Sequence, residues 1–484
     1  MTTRGPIPCA FNIPITCADV TGSGAANTIW VFLIFIFESS VQAGPPPDQH
    51  TVAILVRGQV WVYDNKMEWN LFTWIFAAFL AARFALESTL DILQARYLSR
   101  RPDRVPSHLE GVVEIETIRK AISYNRDKLR FRFVSRIVDM APLWALLLFG
   151  FAFIDRAVVQ VEIGQPWSGL LFFGILGALS FLWSLPSDAY YTFVVEEKHG
   201  FNKQRPGGFI ADKLKGLGVA AVLGAVLGSV VLLMMKHAGT AWWLFAFAAV
   251  TILQLLITWI YPVVIMPLFN KFEPVEADLA DDVARLARSV DFPLRKVVTM
   301  DGSKRSSHSN AFFTGLRGAR RIVLYDTLMS SLERPQLLAV LAHELGHFKL
   351  GHVTKRIVMT VALMLAVFAV MGWLGGQGDV YSGLGFERSS EHGLVVVFGL
   401  LASEMLFPFG WVSRVLSRRD ERAADRFAVE ATGDGEDLVG ALTALTRQNL
   451  GSPGSHRLYR AYHNTHPTLR ERMKTIRAIA RPPA

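Results

Sequence analysis

Cysteine is nearly absent. Of 484 residues only Cys9 and Cys17 are Cys, both in the N-terminal stretch. Beyond them the chain holds neither a disulfide framework nor a thiolate metal site, so any metal must be held by His and carboxylate. Charge is sparse as well, 19% of residues against 51% hydrophobic ones, with a mean hydropathy of +0.31. That balance excludes disorder and collagen and is too apolar for a soluble protein of this length, which leaves a polytopic membrane protein. Internal repeats are missing. So is the interleaving of aromatic and basic residues that RNA-binding modules use, so nucleic acid is not an expected partner despite a formal charge of +9 and a pI near 9.6.

What is present in quantity is long apolar runs. Seven are long enough to cross a bilayer: Trp69 to Leu86, Val134 to Ile154, Gly169 to Val195, Leu217 to Met235, Ala241 to Ile265, Ile357 to Leu374 and Gly393 to Phe409. The second carries Arg136 and Asp139 and the seventh Glu404, groups that must face a bundle interior or water. Loop charges orient the spans. Gln94 to Phe133 holds ten Lys or Arg and the tail beyond Leu416 twelve, whereas Asp155 to Ser168, Lys236 to Thr240 and Gly375 to His392 hold three between them. The basic sides are therefore expected to be cytoplasmic, which accounts for the pI.

Upstream of Trp69 the pattern changes. A nine-residue apolar run, Ile29 to Phe37, followed by Val41-Gln42-Ala43-Gly44, resembles a signal-peptide core and cleavage site, and Met67 just before the first full span offers a second reading, a mis-assigned start. The expected division is an N-terminal extension 1–66, a five-span membrane domain 67–269 and a C-terminal domain 270–484 that includes spans six and seven. Within the last, Asn270 to Arg356 is the long polar insertion and Ser413 to Ala484 a polar tail, together one cytoplasmic module. Lys296 to Met300 and Arg320 to Tyr325 read as short strands, and a helical pattern starts at Pro335 and runs through His343 toward Ile357.

Inside that helix lies His343-Glu344-Leu345-Gly346-His347. Histidines four apart share a helix face and can bind one zinc ion, one per chain, with Glu344 placed to take a proton from activated water and pass it to a leaving amine. The helix continues through Phe348 to His352 into the sixth span, and His352, a candidate extra ligand, is turned off that face by its five-residue distance from His347. A third ligand is needed. Glu421 in Ser417-Arg418-Arg419-Asp420-Glu421-Arg422-Ala423-Ala424-Asp425 is the best candidate, with Asp425 one turn on as an acceptor that fixes the tautomer of a zinc-bound histidine. The alternatives are a solvated charged face for this segment, and Glu404, His463 or His466 as the ligand.

Several segments together resemble the type I CAAX prenyl proteases, integral-membrane zinc metallopeptidases: Tyr97-Leu98-Ser99-Arg100-Arg101-Pro102, Glu196-Glu197-Lys198-His199-Gly200-Phe201-Asn202-Lys203, Pro267-Leu268-Phe269-Asn270-Lys271-Phe272, His308-Ser309-Asn310-Ala311 and the zinc motif. The resemblance implies an all-α polytopic membrane protein, seven transmembrane helices enclosing a polar chamber, with a small α+β cytoplasmic zinc metalloprotease module. It selects Glu421 and Asp425. It makes Asn310 and Ala311 the edge strand that holds substrate backbone, and gives His466 and Arg472 the task of steadying the substrate carbonyl or developing oxyanion. The implied partners are the lipid bilayer and a peptide or protein C-terminus, prenylated in the family. If the source is bacterial, the membrane is the inner one. A membrane quality-control zinc protease is the second reading, and a non-enzymatic lipid-binding or transport protein with a structural metal the third.

Overall fold

The computed structural model describes residues 51–56, 59–64, 67–100, 105–107, 109–314 and 321–480. Cys9, Cys17 and the signal-like run lie outside the described residues. In the N-terminal extension, β1 (Thr51–Val56) and β2 (Gln59–Asp64) pair antiparallel.

Five membrane helices follow: α1 (Leu71–Ser99), α2 (Ile115–Val159), α3 (Trp167–Glu196), α4 (Pro206–His237) and α5 (Gly239–Phe269). Each contains an expected apolar run, yet α1 and α2 overshoot theirs. At 29 residues α1 is about 43 Å long, more than a bilayer core requires. Its start is capped by Asn70, whose Oδ1 accepts from Phe72 and Thr73 N–H. The overshoot is stabilised by charge pairing between the two helices. Asp91 accepts from Arg132 and, at 3.0 Å, from Arg136, which also reaches Glu87 at 3.2 Å. Asp139 accepts from Trp183 Nε1 at 2.7 Å and Glu404 pairs with Arg83 at 3.0 Å, so the polar residues of the spans face protein rather than lipid. The outward faces are apolar, with Val222, Ile252 and Trp373 each at least 60% exposed.

The insertion contributes β3 (Phe272–Pro274), α6 (Ala277–Ser289), β4 (Lys296–Met300), β5 (Ala311–Thr314) and β6 (Arg321–Tyr325). They form a sheet of order β3-β4-β6-β5, with β4 and β6 parallel and both outer strands antiparallel. Alternation along the strands gives the sheet two apolar faces. Val298, Met300, Phe312 and Val323 pack on Met266 at the end of α5, while Val297, Ala311, Phe313, Ile322 and Leu324 join a core with Val340, Leu341 and Leu345. The sheet thus seats the next helix against the membrane body.

That helix, α7 (Arg334–Lys349), opens on a capping box between Glu333 and Gln336. It does not continue into the membrane as the sequence pattern suggested. Gly351 adopts φ 69°, Leu350 N–H bonds back to Gly346 C=O, and a new helix, α8 (His352–Leu374), starts as the sixth span. The seventh apolar run is also broken. Helices α9 (Glu391–Met405) and α10 (Phe409–Thr432) meet at 59° across a break containing Pro408, where a backbone donor is missing. Among the described residues, then, six helices can cross a membrane, or up to seven when the bent pair counts as one span. The chain ends in α11 (Gly435–Gln448), α12 (Arg457–His463) and α13 (Leu469–Ala480).

Candidate active site

Helices α7 and α10 cross where Gly346 faces Phe427. A Cβ at Gly346 would lie 3.0 Å from the Phe427 ring, so the glycine permits the close approach that delivers α10 side chains to the histidine face. His343, Glu344 and His347 project from one turn of α7, Glu421 and Asp425 from one turn of α10, and all five are at most 2% exposed.

Three donor atoms converge. His343 Nε2 lies 3.2 Å from His347 Nε2, with Glu421 Oε2 3.4 Å from the first nitrogen and Glu421 Oε1 3.4 Å from the second. These donors all fall within 4.8 Å of one another. Ligand bonds of about 2.0–2.2 Å at tetrahedral angles set donors about 3.3–3.6 Å apart, so the triplet has the spacing of a coordination sphere. The hydrogen-bond inventory points the same way. Both oxygens of Glu421 and of Glu344, and Nε2 of His466, are buried without a hydrogen-bond partner among the described residues. Uncompensated carboxylates are costly in such a setting, and a cation here would offset the cost.

Around the triplet the remaining contacts fix ring orientations. Asp425 Oδ1 is 3.0 Å from His343 Nδ1, which leaves Nε2 free to ligate, and Asp425 is in turn gripped by Arg472 through Nε at 2.9 Å and Nη2 at 2.5 Å. His466 Nε2 stands 3.3 Å from Glu421 Oε1, and Arg472 Nη1 3.9 Å from Glu421 Oε2. Burial would raise Asp425, but Arg472 and His343 hold it down to about 2; Glu421 is likewise held well below the usual range by His466 and the two histidines. Burial, helped by the nearby Glu421 carboxylate and opposed by His343 and Arg472, pushes Glu344 the other way, up to about 8, the range of a group that takes and returns a proton near neutrality. For His343, burial is outweighed by Asp425 and Glu421, which lift it to about 9, while burial takes His347 down to about 4.

The structure therefore assembles His343, Glu344, His347, Glu421, Asp425, His466 and Arg472 in one place. Asn310 and Ala311 stand apart from this cluster. Asn310 immediately precedes β5 and Ala311 opens it, at the end of the sheet that packs against α7. Of the rival ligands, Glu404 is with Arg83 and the His463 ring lies tilted against Tyr459, whereas His466 stands beside the triplet without belonging to it.

His352 stays outside the ligand triplet, as expected, yet lies closer to it than a continuous helix would place it. Because the helix breaks at Gly351, its ring turns back and sets Nδ1 3.0 Å from His347 Nδ1, with Nε2 3.6 Å from Asp420. It orients a ligand without joining the triplet. The signal was the glycine itself, one residue before His352 and just past the last periodic position of α7.

Two imidazole nitrogens and a carboxylate converging in a buried site at the foot of a membrane span are what a membrane metallopeptidase requires, and the comparisons with known proteins place the chain in that class. A family model described as CAAX prenyl protease N-terminal, five membrane helices, matches residues 94–271, and one for peptidase family M48 matches residues 274–480. The chain belongs to the CAAX prenyl protease family within these peptidases. It is 36% identical to the CAAX prenyl protease 1 homolog of Arabidopsis thaliana, covering 82% of this chain and 96% of that one, and 32% identical to the Homo sapiens homolog, covering 85% and 94%. The crystal structure of S. mikatae Ste24p superposes with a TM-score of 0.78 at 32% identity, covering 84% of this chain and 99% of that one. The protein is thus a multi-pass membrane metalloendopeptidase.

Proposed function

We propose that the metal is zinc, that His343, His347 and Glu421 hold it, and that the enzyme cleaves near the C-terminus of membrane-attached, prenylated proteins at the cytoplasmic face. One observation carries this reading: two imidazole nitrogens and a carboxylate oxygen converge beside a buried glutamate that has no other partner. An N, N, O donor set with three protein ligands is the catalytic rather than the structural pattern of zinc, which also argues against a transport protein with a closed metal site. When bound, the ion supplies a Lewis acid that polarises the scissile carbonyl and acidifies water.

The protein's own groups account for the rest. Glu344 accepts a proton from the attacking water and returns it to the amine as the C–N bond breaks, a cycle suited to its raised pKa. Arg472 and His466, both against Glu421, present donors to the negative charge that grows on the carbonyl oxygen. Asp425 acts one step back, holding His343 and Arg472 in place. β5 pairs only with β6 among the described residues, so its outer edge is available to an extended substrate backbone beginning at Asn310 and Ala311. The start of the sixth span directly after α7 supports placing the reaction at the membrane boundary, and the basic loops support the cytoplasmic side. Prenylated substrates follow from the relatives' name. Replacing Glu344 by Gln should lower peptide cleavage by about 10²–10⁴-fold with zinc still bound, read by hydrolysis of a farnesylated C-terminal peptide and by metal analysis. Turnover that survives the change would overturn the mechanism.

A further inference from the structure

The segment Glu196–Lys203 takes no part in the metal centre, yet it is bonded through both backbone and side chains. It closes α3 and grips residues 305–309, the stretch that leads into β5. The grip has a backbone component: Lys203 N–H donates to Arg305 C=O at 3.0 Å, Ser307 N–H to Phe201 C=O at 3.1 Å, and Asn202 bridges Ser306. Its side-chain component centres on His308. Phe201 stacks on the imidazole with centroids 3.9 Å apart and planes 14° apart. Glu196, 9% exposed, lies with Oε2 3.1 Å from His308 Nε2, while its Oε1 accepts from Tyr124 Oη at 2.6 Å. On the far side, Asn449 Oδ1 accepts from Ser309 N–H at 3.1 Å and stands 3.1 Å from His308 Nδ1. Thr327 Oγ1 donates to His308 C=O at 2.9 Å.

These bonds specify protons. Ser309 N–H marks the Asn449 oxygen as the acceptor, so Nδ1 of His308 carries hydrogen, and the Nε2 to Glu196 contact needs one further shared proton. Every polar position on the ring is thereby used. The partners come from α2, from the end of α3 and from the tail after α11, so the chain two residues before β5 is tied to the membrane body on one side and the C-terminal helices on the other. β5 is bonded to a single strand neighbour and packs Ala311 and Phe313 against α7, and the bonds around His308 fix the chain that enters it.

We propose that Glu196 and His308 are positioning residues for the peptidase: by hydrogen bonding they fix the approach of β5 to the metal helix and so the register in which an extended substrate is held. This rests on the reading that β5 is the substrate strand. The role is one of hydrogen-bond geometry, not charge, and that makes Gln an adequate replacement for Glu196. Its carbonyl accepts from Tyr124 and its amide donates to Nε2 of the Nδ1–H tautomer.

The test uses the full-length enzyme in detergent or nanodiscs with two peptides that share one scissile bond, the second N-methylated at the flanking backbone amides so that strand pairing is lost. Wild type should prefer the unmethylated peptide. Glu196→Ala should cut kcat/KM for that peptide by about tenfold, the scale of one or two lost hydrogen bonds, and leave the methylated peptide within about twofold. Glu196→Gln should restore the preference. Equal losses on both peptides with zinc retained, or a Gln variant as impaired as Ala, would overturn the proposal. If Glu196→Ala loses zinc or fails to fold, Asn449→Ala releases His308 from the other side and should show the same selective loss; an unaltered peptide preference there would equally overturn it. A wild type that cleaves both peptides alike refutes the substrate-strand reading itself, whereas a wild type that discriminates and a Glu196→Ala variant that discriminates equally well refutes only the positioning role.

Discussion

The membrane body and the peptidase module are built on opposite plans. Along α4 only Phe209 and Leu232 are buried among 32 residues, whereas α7, half as long, buries Leu337 and every position from Ala339 to His347. Neither shows a clean amphipathic stripe, but for different reasons. The fourth span is apolar all round because lipid is its solvent; the metal helix is enclosed on all sides by sheet, α10 and α11. Inside the body the polar groups are ion pairs that neutralise one another, Asp91 with Arg132 and Arg136. Inside the module, oxygens of Glu344 and Glu421 are left without partners. Ion pairs between helices mark the scaffold, and a buried Glu344 with no hydrogen-bond partner beside the converging histidines marks the chemistry.

Two carboxylates put this contrast to the sharpest test. Asp91→Leu and Asp425→Leu each strand a buried arginine and should each cost about 3–5 kcal/mol of stability, measured by thermal unfolding in detergent. Only Asp425→Leu should also weaken zinc affinity, by about 10–100-fold, because it alone orients a ligand. Similar zinc affinities in the two variants would erase the distinction.

Packing offers a second comparison. Leu341→Ala, in the module core at 1% exposure, should cost about 2–5 kcal/mol, while Val222→Ala on the lipid face should change the melting temperature hardly at all. Acidification should act on the module alone. In the metal-free pocket Asp425 and Glu421 outweigh burial and hold the His343 proton up to about pH 9, and a ligand must shed its proton to bind, so zinc occupancy at fixed free zinc should fall as pH falls from about 8 to about 6. Smallest is Gly346→Ala. The added methyl presses on Phe427 and should spread α7 and α10 by a few tenths of an ångström, lowering zinc affinity by less than the Asp425 change, read in the same titration.

The spans were legible because a bilayer demands a continuous apolar run, and the first six runs fall on membrane-length helices, whereas the seventh is split between α9 and α10. Their full lengths were not, since α1 and α2 continue past the bilayer on bonds such as Arg136 to Glu87, which only three-dimensional proximity reveals. In the sheet, β4 and the strand at Arg321 to Tyr325 were readable from β-branched alternation. β3, three residues ending in Pro274, carries too little pattern to be read. β5 was reached through the family resemblance at Asn310 and Ala311, since four residues after a serine-rich turn do not declare a strand. The histidine pair was visible because helical spacing alone brings His343 to His347. Glu421 was visible only as the best of several candidates, because its arrival depends on the crossing of α7 and α10 at Gly346. His352 was rightly left out of the ligand set, but its contact with His347 was not legible, because it depends on the left-handed Gly351 that ends α7.

The central claim is that His343, His347 and Glu421, and no other carboxylate or histidine, hold the metal. Zinc stoichiometry of the purified full-length protein tests it most directly. The account expects one zinc per chain in wild type and in Glu404→Ala and His463→Ala, and its loss in Glu421→Ala; zinc retained by Glu421→Ala, or lost from Glu404→Ala, would contradict it.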